Sequence, residues 1–222
     1  MIKKELKTLM DKHSEKTLIP MAHIIDDDEA VLDSLGILFD SVDIKNQCYR
    51  SAAKFLEAYQ QRNFNIHTGC IVLDIRMPEM SGIDCQKKLN ELEVILPVIF
   101  LTGHADVDLA VEAMKNGAVD FIEKPFREQQ LITAVQKAIQ HSLYIDQRQQ
   151  RLLETKAKIN QLTPRELQIL NGIVDGKANK VIAVDLHLSE RTIEIHRAHV
   201  MEKMLASSLA HLIRMYLDVA NI

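Results

Sequence analysis

No stretch of this sequence stays apolar over the roughly 18 residues needed to cross a bilayer, and the N-terminus lacks the apolar run of a signal peptide. A membrane-spanning or exported protein is therefore not expected, and a cytoplasmic one is. Cysteine is scarce: Cys48, Cys70 and Cys85 show no CxxC or metal-ligand spacing, and two of them sit in or beside apolar segments. That usage argues against a disulfide framework or thiolate metal site and fits free thiols in a reducing compartment. A surplus of basic charge is also missing. The formal net charge of −4 speaks against wholesale polyanion binding, so any nucleic-acid contact must come from locally placed Arg, Lys and His. The chain has no internal repeats and no low-complexity tract, and its 222 residues suit one large domain or two small ones.

What is present is organised around the run Cys70-Ile71-Val72-Leu73-Asp74-Ile75-Arg76-Met77-Pro78-Glu79-Met80-Ser81-Gly82. Branched apolar residues ending in one carboxylate, then a loop with Pro and Gly, read as a buried parallel strand that delivers Asp74 to its carboxyl end. Strands and helices alternate around it. His23-Ile24-Ile25 ends in Asp26-Asp27-Asp28, and Ala30 to Phe39 has helical spacing; Val42 to Tyr49 reads as strand and Ala52 to Tyr59 as helix. After Ile71 to Asp74 come a helix over Ile83 to Leu92, a strand over Ile95 to Leu101, a helix over Val107 to Asn116, a strand over Val119 to Glu123 and a closing helix over Phe126 to His141. This alternation predicts an α/β, flavodoxin-like, doubly wound parallel sheet of five strands, with its site at the topological switch point. Residues 1–20 form a Lys-rich N-terminal extension without an assigned function, and Met21 is an alternative start.

Asp26, Asp27 and Asp74, at neighbouring strand ends, repel one another, so a cation is the natural occupant, and hard oxygen ligands that leave room for water favour Mg²⁺. A carboxylate beside such a cation can attack a phosphoryl group, Lys124 can neutralise the developing charge, and the Thr102 hydroxyl can donate to a phosphoryl oxygen. Taken singly, each has a plain explanation: helix caps for the acids, a satisfied strand-end hydroxyl, a surface lysine. Their joint placement on the ends of one sheet's strands does not.

The segments IIDDDE, VLDIRMPEMSG and LTGHADVDLAVEAMKNGAVDFIEKPF together resemble the receiver domain of bacterial two-component response regulators, over residues 21–143. The resemblance implies that Asp74 accepts phosphate from a sensor-kinase phosphohistidine. It implies that Asp27, Asp74 and the backbone carbonyl of Arg76 hold Mg²⁺, with Asp26 acting through water. It further implies that Lys124 pairs with the phosphoryl group, that Thr102 moves to bond it, and that Phe121 is the aromatic switch, here without the hydroxyl of the Tyr often found there. The surface of Val107 to Asn116, Val119 to Glu123 and the closing helix is then the one that dimerises. Asp28 leaves the register open by one; the pair is placed at Asp26 and Asp27 because they directly follow Ile24-Ile25.

Residues 144–160 are rich in Gln, Lys and Arg and read as a partly helical, mobile linker. Thr163-Pro164-Arg165-Glu166 then carries a capping box with Pro at the first helical position, and an all-α module follows over residues 161–222, broken at Gly176, near His187 to Ser189 and near Ser207. Asn179 to Leu186, a turn, and Ser189 to Met204 have helix-turn-helix spacing. On the second helix Ile193, His196, Val200 and Met204 form a buried face; Arg191, Glu194, Ile195, Ala198 and Glu202 lie opposite. In a major groove Glu194 can accept from cytosine N4 and Ile195 and Ala198 can touch a thymine methyl. Arg191, Arg197, His199 and Lys203 can reach phosphates or a guanine, with Thr192 beside them. LTPRELQIL, the Gly176 to Lys180 turn and LSERTIEIHRAHVMEKM resemble the LuxR-type four-helix DNA-binding domain of FixJ-type response regulators. The run VMEKMLASSLAHLIR resembles regulators that respond to tetrathionate or related sulfur compounds. The resemblance implies a sensor histidine kinase, promoter DNA and RNA polymerase as partners, a homodimer formed on phosphorylation, and a transcriptional activator in place of a metabolic enzyme. A phosphoryl relay, or a DNA binder indifferent to phosphate, are the competing readings.

Overall fold

The computed structural model describes residues 19–61, 68–103 and 107–220, so the extension expected over residues 1–20 lies almost wholly outside the described residues. The chain divides into two compact units, one up to Asp146 and one from Gln147.

In the first unit, β1 (Met21–Ile25), β2 (Asn46–Tyr49), β3 (Gly69–Asp74), β4 (Val98–Thr102) and β5 (Asp120–Glu123) form one sheet in the order β2-β1-β3-β4-β5. Every pairing is parallel. The helices α1 (Glu29–Asp40), α2 (Ala52–Gln60), α3 (Gly82–Glu91), α4 (Val107–Lys115) and α5 (Glu128–Ile159) alternate with the strands. This is the doubly wound, flavodoxin-like sheet, and its apolar strands show why. Successive side chains of a strand point to opposite faces, so Ile71 and Leu73 join Ile25, Phe55, Leu89 and Phe100 in one core, while Cys70 and Val72 join Leu32, Phe39, Ile99, Leu131 and Val135 in the other. A strand buried on both faces needs no polar alternation, which is why β3 reads as an unbroken apolar run.

Element edges depart from the sequence pattern for local reasons. The strand expected from Val42 begins at Asn46. Asp43 adopts φ 58, and Ile44 N donates to Phe39 O at 2.9 Å, so Ile44 plugs the core from a helix-ending turn. Pro97 has no N–H for the ladder, and β4 starts one residue after it. The segment read as a linker is helical to Ile159. No Gly or Pro occurs between Glu128 and Ile159, and Gln, Glu, Lys, Arg, Leu and Ala are all good helix formers, so a composition that suits a solvated tether also suits a helix. Among the described residues no helix is long and apolar enough to cross a membrane.

The second unit packs α6 (Pro164–Val174), α7 (Asn179–Asp185), α8 (Glu190–Lys203) and α9 (Leu209–Ala220) around Ile169, Leu170, Ile173, Ile182, Ile193, Val200, Met204 and Leu212. The capping box is formed: Glu166 N donates to Thr163 Oγ1 at 3.3 Å and Thr163 N to Glu166 Oε2 at 2.7 Å. Gly172 lets α6 and α7 cross closely, since a Cβ there would meet Ile182 Cγ1 at 2.9 Å.

One polar side chain is sealed inside the sheet. His23 is 1% exposed, packs on Tyr49 and Phe55, and burial pulls its pKa from 6.5 down to about 4. The unfolded chain therefore takes up a proton below about pH 6.5 that the folded one refuses until about pH 4. Stability falls across that window and levels off beneath it. Between about pH 7.5 and pH 5 the loss from this group is about 2 kcal/mol. Denaturant titrations at the two pH values should show that difference in the wild type and a reduced one in His23→Phe; equal pH dependence in both would refute the assignment.

Candidate functional site

Parallel strands all deliver their carboxyl ends to one edge, and the register sets what meets there. Ile25 lies beside Leu73, Asp74 beside Leu101, and Thr102 beside Glu123. Asp26 therefore emerges next to Asp74, and Lys124 N donates to Thr102 O at 2.6 Å, which fixes the lysine at the same edge. Gly82 is required for this closure. Its N–H donates to Ile75 O at 2.9 Å, and a Cβ on it would come within 2.2 Å of Asp74 O, so only glycine lets α3 start so close to the end of β3.

Lys124 Nζ donates to Asp26 Oδ2 at 2.7 Å and to Asp74 Oδ1 at 2.9 Å. The remaining oxygens take backbone donors: Asp26 Oδ1 from Asp28 N at 2.9 Å, Asp74 Oδ2 from Arg76 N at 2.7 Å. Both carboxylates are buried, at 3% and 8% exposure. Burial raises the Asp74 pKa above the usual carboxylate range; the Lys124 hydrogen bond and charge oppose this, the Asp26 charge adds to it, and the Arg76 N–H opposes it. Burial alone would lower the Lys124 pKa, but its hydrogen bonds to Asp26 and Asp74 and their charges outweigh that, and the net shift is upward. Two buried carboxylates thus share one ammonium.

The other expected members are placed differently. Asp27 is exposed, and Asp28 caps α1 by accepting from Ala30 N at 2.8 Å. Among the described residues no group of three or more His, Cys, Asp or Glu stands close enough to hold a metal ion. Magnesium, however, is commonly bound through only one or two carboxylates, with water and phosphate completing the shell. Each carboxylate also retains lone pairs beyond those used by Lys124 and the backbone, so the oxygen donors fit such a cation. Thr102 is buried at the end of β4. The Arg76 side chain is exposed and, with Asp27, Pro78, Lys87 and Glu112, lines an open cleft of about 660 Å³ beside the acids. Phe121 is half-buried, 6.5 Å from the Phe100 ring, and lines an apolar groove with Val107, Ala110, Val111 and Met114.

In the second unit α8 presents Arg191, Glu194, Ile195, Ala198 and His199 to solvent, with Arg197 half-buried. Arg191 Nη1 pairs with Glu194 Oε2 at 3.1 Å. Two residues expected at a DNA surface also serve the fold. Thr192 completes the cap with Ser189, their hydroxyls 2.8 Å apart, and Lys203 Nζ donates to the buried Glu166 at 2.7 Å. His196, expected on the buried face, is half-buried. The Lys203 pairing and the capping-box N–H bring the Glu166 pKa down to about 2.

Comparison with known proteins places these features in context. The model of the response regulator receiver domain matches residues 22–136, and that of the luxR family of bacterial regulatory proteins matches residues 160–216. The transcriptional regulatory protein FixJ of Rhizobium meliloti (strain 1021) is 43% identical over 195 residues, covering 88% of this chain and 94% of its own. Response regulator protein TmoT of Ectopseudomonas mendocina is 42% identical over 192 residues, 86% of each chain. Among solved structures, response regulator StyR superposes with a TM-score of 0.78 at 35% identity over 89% of this chain and 98% of its own. Full-length FixJ from B. japonicum gives 0.56 at 39% identity over 93% and 100%.

The sharing predicts opposite effects of Lys124 and Asp26 on Asp74. Lys124→Met should raise the Asp74 pKa further and Asp26→Asn should lower it, read by carboxyl ¹³C titration; shifts in the same direction would refute the sharing. Lys203→Met should strand the buried Glu166 carboxylate and destabilise the second unit by about 1–2 kcal/mol after allowance for the partly exposed lysine. The Glu166→Gln, Lys203→Met double variant should lose less. Because Glu166 titrates near 2 when folded, the wild-type advantage should be full above about pH 4.5 and fade as the pH falls toward 2. A double variant as unstable as the single one would contradict this pairing.

Proposed function

The chain belongs to the two-component response regulators that join a receiver domain to a LuxR-type DNA-binding domain and regulate transcription, and from that premise we propose a phosphorylation-switched activator in which Asp74 is the phosphoacceptor. The supporting observation is the buried Asp74 carboxylate at the carboxyl end of β3, held with Asp26 by Lys124. The domain boundaries follow the same reading: receiver over residues 21–143, DNA reader over 161–222.

An Asp74 oxygen attacks the phosphorus of a sensor-kinase phosphohistidine; the new P–O bond forms as the P–N bond breaks, and the imidazole nitrogen keeps the electron pair and takes up a proton. Lys124 holds Asp74 ionised before transfer and exchanges its Asp74 contact for a phosphoryl oxygen afterwards. Mg²⁺, held by Asp26, Asp27, Asp74 and the Arg76 carbonyl directly or through water, would supply further charge neutralisation on the phosphoryl oxygens. The Thr102 hydroxyl is the donor for another of those oxygens, and its inward shift vacates room that the Phe121 ring follows.

Phe121 lines the groove that α4 and β5 present, where Val107, Val111 and Met114 are exposed hydrophobic residues, so its movement reshapes a ready apolar surface. That surface is the dimer interface of the phosphorylated state. The near-neutral face of α8 makes a weak reader alone, and two copies on adjacent half-sites gain through effective concentration. Arg191, Glu194, Ile195, Arg197, Ala198 and His199 read the groove, and the promoter-bound dimer recruits RNA polymerase in the cytoplasm.

The test is solution mass by light scattering with Mg²⁺, with and without beryllofluoride as phosphoryl mimic. A monomer that becomes a dimer only with the mimic, and not in Asp74→Ala, is the expected outcome. Mass that ignores the mimic would contradict switching by association.

A further inference from the structure

α4 is weakly seated in the first unit. It buries only Ala113, whereas α1 and α2 bury three residues each and α3 buries five. Polar side chains of α3 reach across to it. Gln86 Nε2 donates to Ala113 O at 3.1 Å, and Asn90 Nδ2 donates to Asn116 O at 2.9 Å. Carbonyls at the end of a helix have no donor within it, so these two amides pin the C-terminal end of α4, just before Gly117 turns the chain away at φ 94. Towards its N-terminus α4 has no buried residue: Val107, Asp108 and Val111 are exposed, and Leu109 and Ala110 half-buried. There α3 holds it by an ion pair, Lys87 Nζ to Glu112 Oε1 at 2.9 Å.

The helix also separates two hollows. Leu109 and Glu112 line the cleft beside the acids, together with Ser81, Asp84 and Lys87 from α3 and its cap, so the ion pair joins the two helical walls of that cleft. Val107, Ala110, Val111 and Met114 line the apolar groove with Phe121. A tilt of α4 about its pinned end changes both hollows at once. We propose that the Lys87–Glu112 pair is a latch that holds α4 in its resting seat, making Lys87 and Glu112 positioning residues that oppose the phosphorylated state. This rests on the reading of Asp74 as phosphoacceptor and of the groove as the surface that phosphorylation reshapes. Whatever stabilises the resting seat lowers the affinity of a ligand that favours the other, so the latch weakens binding of a phosphoryl mimic without touching it. Both partners are about half-exposed, at 51% and 43%, and an exposed pair is a weak restraint, which suits a latch that one phosphoryl group has to open.

The test uses full-length protein carrying Lys87→Met, Glu112→Gln, both together, or Lys87→Arg, which keeps the pair. Hydrogen exchange along α4 is followed by NMR, and the affinity for beryllofluoride with Mg²⁺ by ¹⁹F NMR. Each of the first two variants should speed exchange at the Val111 amide and tighten beryllofluoride binding, each roughly two- to fivefold, with the Ala118 amide on the pinned side unchanged. The double variant should match the single ones, since one pair cannot be broken twice, and Lys87→Arg should behave as the wild type. The latch is overturned if exchange at Val111 is unchanged, if the two single effects add, or if wild type and opened variants bind the mimic equally. A wild type that binds no mimic at all would overturn the coupling together with the phosphoacceptor reading, whereas equal affinities overturn the latch alone.

Discussion

One ammonium held between two buried carboxylates is the constraint on which the first unit depends. Lys124 can reach Asp26 and Asp74 together only because β1 and β3 are adjacent, β4 follows, and the backbone of Lys124 is hydrogen-bonded to Thr102 at the end of β4. The strand order therefore matters to the chemistry as much as to the core. Burial works against the charged form of Asp74, and the hydrogen bond and charge of Lys124 oppose that. Two buried carboxylates thus face one ammonium, and this arrangement is the basis of the proposed cation and phosphoryl chemistry.

Much of that edge was legible in the sequence. Apolar runs that end in Asp26, Asp74 and Thr102 report strands buried on both faces, and the change from apolar to polar marks where each strand leaves the core. The acid run after β1 was ranked only by its distance from Ile24-Ile25, which favoured Asp26 and Asp27 over Asp28. Asp26, Asp27 and Asp28 look alike in sequence, yet one is buried against Lys124, one is exposed and one caps α1, because a chain turning from strand to helix presents successive side chains to different surroundings. Gly82 was visible only as part of a loop; its contact with the backbone of Asp74 is a three-dimensional fact.

The helical unit shows the same limit. Thr163-Pro164-Arg165-Glu166 announced a helix start by local rules, and the capping box is there. The second partner of Glu166 is Lys203, 37 residues away, and no local pattern links them. A lysine on a recognition helix reads as a phosphate contact until its position over a buried carboxylate is known. In the stretch after His141 composition left the extent of helix open: polar residues without Gly or Pro serve a tether and a solvated helix equally well, and here they are helical to Ile159.

The central claim is that Asp74, and not its buried neighbour, takes the phosphoryl group. The direct measurement is to phosphorylate the full-length protein from a histidine-kinase phosphohistidine, reduce the acyl phosphate with borohydride, and locate the resulting homoserine by mass spectrometry. The account predicts label at Asp74 alone and none in Asp74→Asn. Label at Asp26 or Asp27, or undiminished label in Asp74→Asn, would contradict it.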